Sequence, residues 1–152
     1  MIQEIVMQNL YRIENDLLEV EKIEKIEGID FIDIFPKSEE HKNQLDKEII
    51  ELSKSIIQTE RGNVYLLNNP IKTKYGKLYF VKIRFFDESR LQWEAAADFI
   101  VKDRSKLKNK VGKDGRFSYI KREEWDAVEY KTNDTLIYFL SPLASEVYGK
   151  KC

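Results

Sequence analysis

Val6, Leu10, Ile13, Leu17 and Val20 recur at steps of 4, 3, 4 and 3, which places them on one face of a predicted N-terminal helix. Leu45, Ile49, Leu52 and Ile56 repeat that rhythm and predict a second helix. Ser38, just after Pro36, is its expected N-cap and Gly62 its expected stop. The run Ile29–Phe35 between them reads as a short strand or a buried link. The apolar stripes fit packing on a sheet, packing on each other, or a dimeric seam through the first helix, and the pattern is the same in all three cases.

From Asn63 the period changes from about 3.6 to 2. Val64–Leu67 reads as a strand ended by the turn signal Asn68-Asn69-Pro70. Tyr75-Gly76-Lys77 opens Leu78–Phe86, where Tyr79, Val81, Ile83 and Phe85 share one face and Lys82 and Arg84 the other. In Leu91–Val101, Leu91, Trp93, Ala95, Ala97, Phe99 and Val101 alternate strictly. These two segments are expected to form an antiparallel hairpin across Asp87–Arg90. Its register sets Lys82 opposite Glu94 and Arg84 opposite Gln92, or Arg84 opposite Glu94, with Asp98 farther along the same face. Asp103–Val111 reads as a short basic helix closed by Gly112. Phe117–Lys121, Ala127–Lys131 and Thr135–Leu140 read as three more strands, and Pro142 ends the sheet. Leu143–Gly149 is expected to be a short tail packed through Leu143, Val147 and Tyr148. No internal repeat or flexible linker stands out. The expected fold is α+β: two N-terminal helices packed on a mainly antiparallel sheet of five to six strands, with one short basic helix inserted, all in a single domain over 1–152.

Composition adds a division that the near-neutral net charge of −1 conceals. Residues 1–60 hold 7 Lys/Arg against 15 Asp/Glu, and residues 61–152 hold 19 against 12. The acidic helical part therefore carries −8 and the basic, mainly strand part +7. Lys102–Arg122 alone holds nine basic residues and two acids. Dense positive charge attracts polyanions through the local field even when the whole molecule is neutral. Lys106, Lys108, Lys110, Lys113, Arg116, Lys121 and Arg122 are the expected phosphate contacts, and Phe117 and Tyr119 the rings that stack on unpaired bases. Against this, the acidic half is expected to cover or neutralise part of the stripe. Lysines outnumber arginines in it by six to three, which does not favour bidentate phosphate recognition.

Two further constellations carry chemistry. Lys82, Arg84, Glu94 and Asp98 read first as cross-strand ion pairs. They become an acid–base or anion-binding patch if Asp98 or Glu94 is buried with a perturbed pKa. Glu129-Tyr130-Lys131 puts a carboxylate and a lysine on one face of a strand. With Asp98 upstream it resembles the metal-and-lysine end of restriction-endonuclease-like nucleases, although the Pro-Asp dipeptide of that pattern is missing.

The remaining chemistry is sparse. His41, the only histidine, falls in the first turn of the second helix, where a solvent-facing role is expected. Cys152 is the only cysteine, so disulfides within the chain are impossible and Cys/His zinc sites cannot be assembled. No cofactor or metal is expected, and the glycines form no nucleotide-binding loop. No apolar run is long enough to span a membrane and the N-terminus lacks the pattern of a targeting peptide, so a reducing cytoplasmic location is expected. The expected function is non-catalytic nucleic-acid binding through residues 102–122. The alternatives are a protein-interaction module, an adaptor or inhibitor that dimerises through the first helix, and a metal-dependent nuclease using Asp98, Glu129 and Lys131.

Overall fold

The structure is a computed structural model and describes residues 2–152. The elements in chain order are α1 (Ile2–Glu21), β1 (Ile26–Ile34), α2 (Glu39–Ile50), β2 (Ser53–Thr59), β3 (Gly62–Thr73), β4 (Gly76–Arg84), β5 (Ala95–Val101), α3 (Ser105–Lys108), β6 (Phe117–Lys121), β7 (Asp126–Lys131), β8 (Thr135–Ser141) and α4 (Ala144–Gly149). Among the described residues this is a mixed α+β arrangement of four helices and one open sheet of eight strands, more than the five to six expected. Among the described residues no helix is long and apolar enough to cross a membrane.

The strands lie in the order β2-β3-β4-β1-β5-β8-β7-β6. β1 is parallel to β4 and β5 is parallel to β8; the other neighbours are antiparallel. The sheet therefore consists of two halves with the same connectivity. In each half a central strand leads through a helix to an outer three-strand meander, whose last strand returns parallel beside the first. β1 and β5, antiparallel to each other, join the halves at the centre. This topological repeat leaves no trace of periodic sequence identity.

The expected hairpin is overturned. β4 and β5 are not neighbours, because β1 lies between them, so Lys82 and Arg84 face no residue of 91–101 across a ladder. The α2 pattern also ran too far. The helix stops at Ile50, and Ile56 belongs to the edge strand β2. Asn68-Asn69-Pro70 does not end a strand. It forms an irregularity inside β3, where pairing to β4 shifts between Leu66 and Ile71. Gly62 is no helix stop; it opens β3 with φ +141°, and a Cβ there would sit 2.1 Å from the Ile83 carbonyl oxygen. Only glycine fits that approach of β3 to β4.

One sheet face is the main core. Val6, Leu10, Ile13, Leu17 and Val20 of α1, Leu45 and Ile49 of α2 and Leu107 of α3 pack there against Ile32, Val81, Ala97, Phe99, Ile137 and Phe139. The apolar stripe of α1 is thus used inside the chain. Ser38 caps α2 by accepting from the His41 backbone N–H at 3.0 Å. The half-buried His41 ring in turn accepts from the Lys37 backbone N–H, so it stabilises the turn and does not simply face solvent.

The opposite face carries two smaller apolar clusters. Phe31, Val64 and Phe80 are covered by α4 through Ala144 and Tyr148, and the Tyr148 ring stacks on Phe31 at 5.6 Å. Phe35, Trp93, Ala96 and Leu136 form the second.

Candidate functional site

The 102–122 segment forms one end of the sheet, with α3 packed on the edge strand β6. Alternation along β6 places Phe117, Tyr119 and Lys121 on the helix-covered face. Phe117 is buried in the main core against Tyr130, with ring centres 4.8 Å apart. It offers no ring to a base, which corrects that expectation. Tyr119 is half-buried, and the Lys108 ammonium lies 4.0 Å from its ring centre.

Three basic groups of the segment are engaged. Arg104 holds Asp126 at 2.6 Å and donates to the Phe139 carbonyl. Against burial, which pushes the Asp126 carboxyl up, this guanidinium keeps it below its ordinary range. Arg116 grips Asp114 at 2.7 Å and donates to the Tyr130 hydroxyl. These bonds hold Asp114 down at about 2 and push Arg116 up. Lys106 faces Glu24 at 3.8 Å, among the described residues the one ion pair from this segment to the acidic half. Lys102, Lys108, Lys110, Lys113, Lys121 and Arg122 are exposed and have no ion-pair partner among the described residues.

A second constellation lies at the centre of the sheet, on the face away from the main core. Asp33 pairs across β1 and β4 with Lys82, and Asp98 pairs across β5 and β8 with Tyr138, which pairs in turn with Glu129 on β7. Asp33 faces Ala96 and Phe31 faces Asp98, so the two aspartates stand diagonally on adjacent strands. The two equivalent halves thus each contribute an aspartate from the central strand and a polar side chain from its parallel neighbour. Lys82, Asp33, Asp98, Tyr138 and Glu129 form a polar diagonal, with the Phe31 cluster on one side and the Trp93 cluster on the other.

Two acids of this region are satisfied. Arg84 bridges Asp33 at 3.1 Å, and the Ser145 backbone N–H donates to Asp30 at 3.1 Å. Lys82 is 9% exposed, and neither a hydrogen bond nor an ion pair engages its ammonium among the described residues. Burial pushes its pKa down, with Arg84 and Arg61 adding to the effect and Asp33 and Asp98 opposing it. Burial pushes the Asp98 carboxyl well up, aided by Asp33 and Asp30 and countered by Lys82. Burial and the neighbouring Glu129 carboxylate likewise raise the Tyr138 hydroxyl.

No family model, curated protein or solved structure matches the chain.

Asp98, Glu129 and Lys131 do project from one face, as the nuclease-like reading requires. Asp98 and Glu129 are separated by Tyr138, and the Lys131 ammonium lies 6.0 Å from the Trp93 ring centre. No group of three His, Cys, Asp or Glu side chains among the described residues is arranged to hold a metal ion. Glu94 precedes β5 and faces Lys37 at 3.9 Å, so it leaves the Lys82–Arg84 grouping in which the sequence placed it. Sequence reasoning missed Asp30, Asp33 and Tyr138, whereas Tyr148 packs as the tail reading expected. The adjacent apolar residues Phe31 and Ile32 in β1, which point to opposite faces, were the one available signal, since they mark a strand with both faces covered.

Proposed function

We propose that the chain is a non-catalytic, single-domain α+β protein of the cytoplasm that binds nucleic acid through residues 102–122. The observation that carries this reading is the set of exposed cations without ion-pair partners around α3 and β6, five lysines and Arg122. Lys108, Lys110, Lys113, Lys121 and Arg122 are the phosphate contacts, and Lys106 joins them by exchanging Glu24 for phosphate. Arg116 is held by Asp114 and serves mainly to fix the loop. Tyr119 is the stacking ring, uncovered when Lys108 swings to a phosphate. Lysine-rich contacts of this kind read charge density rather than base sequence.

Titration into labelled single- and double-stranded oligonucleotides, followed by anisotropy at several salt concentrations, tests the reading. Binding that weakens steeply with salt is expected, and its loss in the triple variant Lys108→Glu, Lys110→Glu, Lys113→Glu. Absence of binding at low salt overturns the proposal.

A second reading rests on α1. Met7, Tyr11 and Leu18 are exposed on its outer side, Tyr11 by 74%. These residues lie off the stripe that the sequence suggested for a dimer and offer a small apolar surface to a protein partner or a second copy. A mass that rises with concentration, and falls back in Tyr11→Glu, would favour this reading.

A further inference from the structure

The two edges of the sheet are finished differently. At β6, α3 packs alongside and the cations of the 102–122 segment crowd the rim, so a second copy there would bring like charges together. At the other edge, β3 is the only neighbour of β2. Thr59 and Gly62 pair across the two-residue turn Glu60-Arg61. That turn directs the main-chain N–H and C=O of Thr59, Ile57 and Ser55 toward β3, and those of Ile56 and Gln58 outward. No hydrogen bond among the described residues engages these outward groups. Ser55–Thr59 holds neither charge nor proline, and the one irregularity of β2, between Ser53 and Ser55, lies outside it. Ile50 and Leu52, which lead into β2, and Ile56 within it are exposed. The edge thus lacks the devices that ordinarily keep a strand from pairing with another chain.

We propose that β2 pairs antiparallel with β2 of a second copy, about a two-fold axis at Ile57, and joins the two sheets into one. This register is the one that uses both outward residues. Ile56 of each copy faces Gln58 of the other, and the two pairs exchange about four main-chain hydrogen bonds. At the axis Ile57 meets Ile57 in a close, non-hydrogen-bonded pair. Ile57 already packs on the Phe31–Val64–Phe80 cluster, so the contact continues that apolar layer from one copy to the next. Just beyond the flat stretch, Lys54 of each copy comes opposite Glu60 of the other. Both side chains are exposed, and neither has an ion-pair partner among the described residues. Sliding one copy by two residues leaves a single outward pair at the axis, Ile56 with Ile56 or Gln58 with Gln58, and separates the charges. The strand is therefore self-complementary in shape, hydrogen bonding and charge, as a two-fold interface requires.

Sedimentation equilibrium over a range of concentrations tests the proposal. The mass is expected to rise from 18.1 kDa toward twice that value. Gln58→Pro removes an outward N–H without touching the ladder to β3, and is expected to keep the chain monomeric. Lys54→Glu or Glu60→Lys alone sets like charges opposite each other twice, and is expected to weaken the dimer about tenfold or more. The double swap Lys54→Glu with Glu60→Lys restores the opposite charges and is expected to return the affinity to within about threefold of the original chain. Tyr11→Glu, on the outer side of α1, leaves this dimer intact. A mass that stays at one chain at every concentration, or association that survives Gln58→Pro, overturns the proposal. A double swap no stronger than the single reversals overturns the register. The oligonucleotide titration is independent of these outcomes.

Discussion

The two faces of the sheet solve the same burial problem in different ways. The face under α1, α2 and α3 is filled by aliphatic and aromatic side chains, and its charged groups stand at the rim, as with Lys74 and Glu14 or Lys106 and Glu24. The opposite face is split by Lys82, Asp33, Asp98 and Tyr138 between two apolar clusters. Burial favours folding on the first face, whereas on the second part of the gain is offset by desolvated charge. The helix-covered face holds the larger apolar cluster and is therefore expected to carry most of the stability.

The largest effect is expected on the helix-covered face. Leu17 is fully buried between α1 and the sheet, and Leu17→Ala is expected to cost about 2–5 kcal/mol by lost transfer energy plus the cavity left behind. Urea unfolding would show it as a lower midpoint with an unchanged slope. A cost under about 1 kcal/mol would mean that α1 is not held as described.

On the opposite face the sign reverses. Lys82→Met is expected to stabilise the protein by roughly 1–3 kcal/mol at pH 7. The folded-state pKa of Lys82 is lowered, so its penalty is fully present below the folded value and fades as the pH rises toward the unfolded value of 10.5. The gain from Lys82→Met should fade over the same range. Asp98 behaves as the mirror case. Its folded-state pKa is raised, so between the unfolded value of 3.8 and the folded value only the unfolded state releases the proton, and stability falls as pH rises. Asp98→Asn is expected to gain about 1 kcal/mol at pH 7 and nothing at or below pH 3.8. Urea midpoints measured across pH check both variants, and a loss of stability in either at pH 7 would make that group a structural partner.

The two faces also differ in how far they could be read from sequence. The helix-covered face was legible where periodicity is local. The α1 spacing, the Ser38 cap and the strands over 117–121, 127–131 and 135–140 all follow from residues within a few positions of each other. The opposite face depends on which strands meet. The strict alternation over Leu91–Val101 identified a strand, yet nothing in it indicated that β1, some sixty residues earlier, would pair there instead of β4. Lys82 and Asp98 were seen to share a face, but through a hairpin that does not exist. Asp33, which stands beside both, lay in a segment readable as strand or link. The signal at Asn68-Asn69-Pro70 failed for a related reason: turn residues also suit a bulge, and pairing on both sides carries β3 through it.

The smallest change in stability belongs to the basic end. Lys108, Lys110 and Lys113 are exposed and outside every ion pair among the described residues, so reversing all three to Glu removes little that holds the fold. The expected shift is within about 0.5 kcal/mol per site, and it is favourable in sign where the reversal relieves repulsion among neighbouring cations. Oligonucleotide affinity in the same variant is expected to collapse, because three phosphate contacts become three repulsions. The polar diagonal would show the converse pattern: Lys82→Met raises the urea midpoint and leaves nucleic-acid binding intact. If the triple reversal lowers the unfolding free energy by more than about 2 kcal/mol, those lysines are held by carboxylates of the acidic half in solution, and the 102–122 segment is a structural seam between the two parts of the chain.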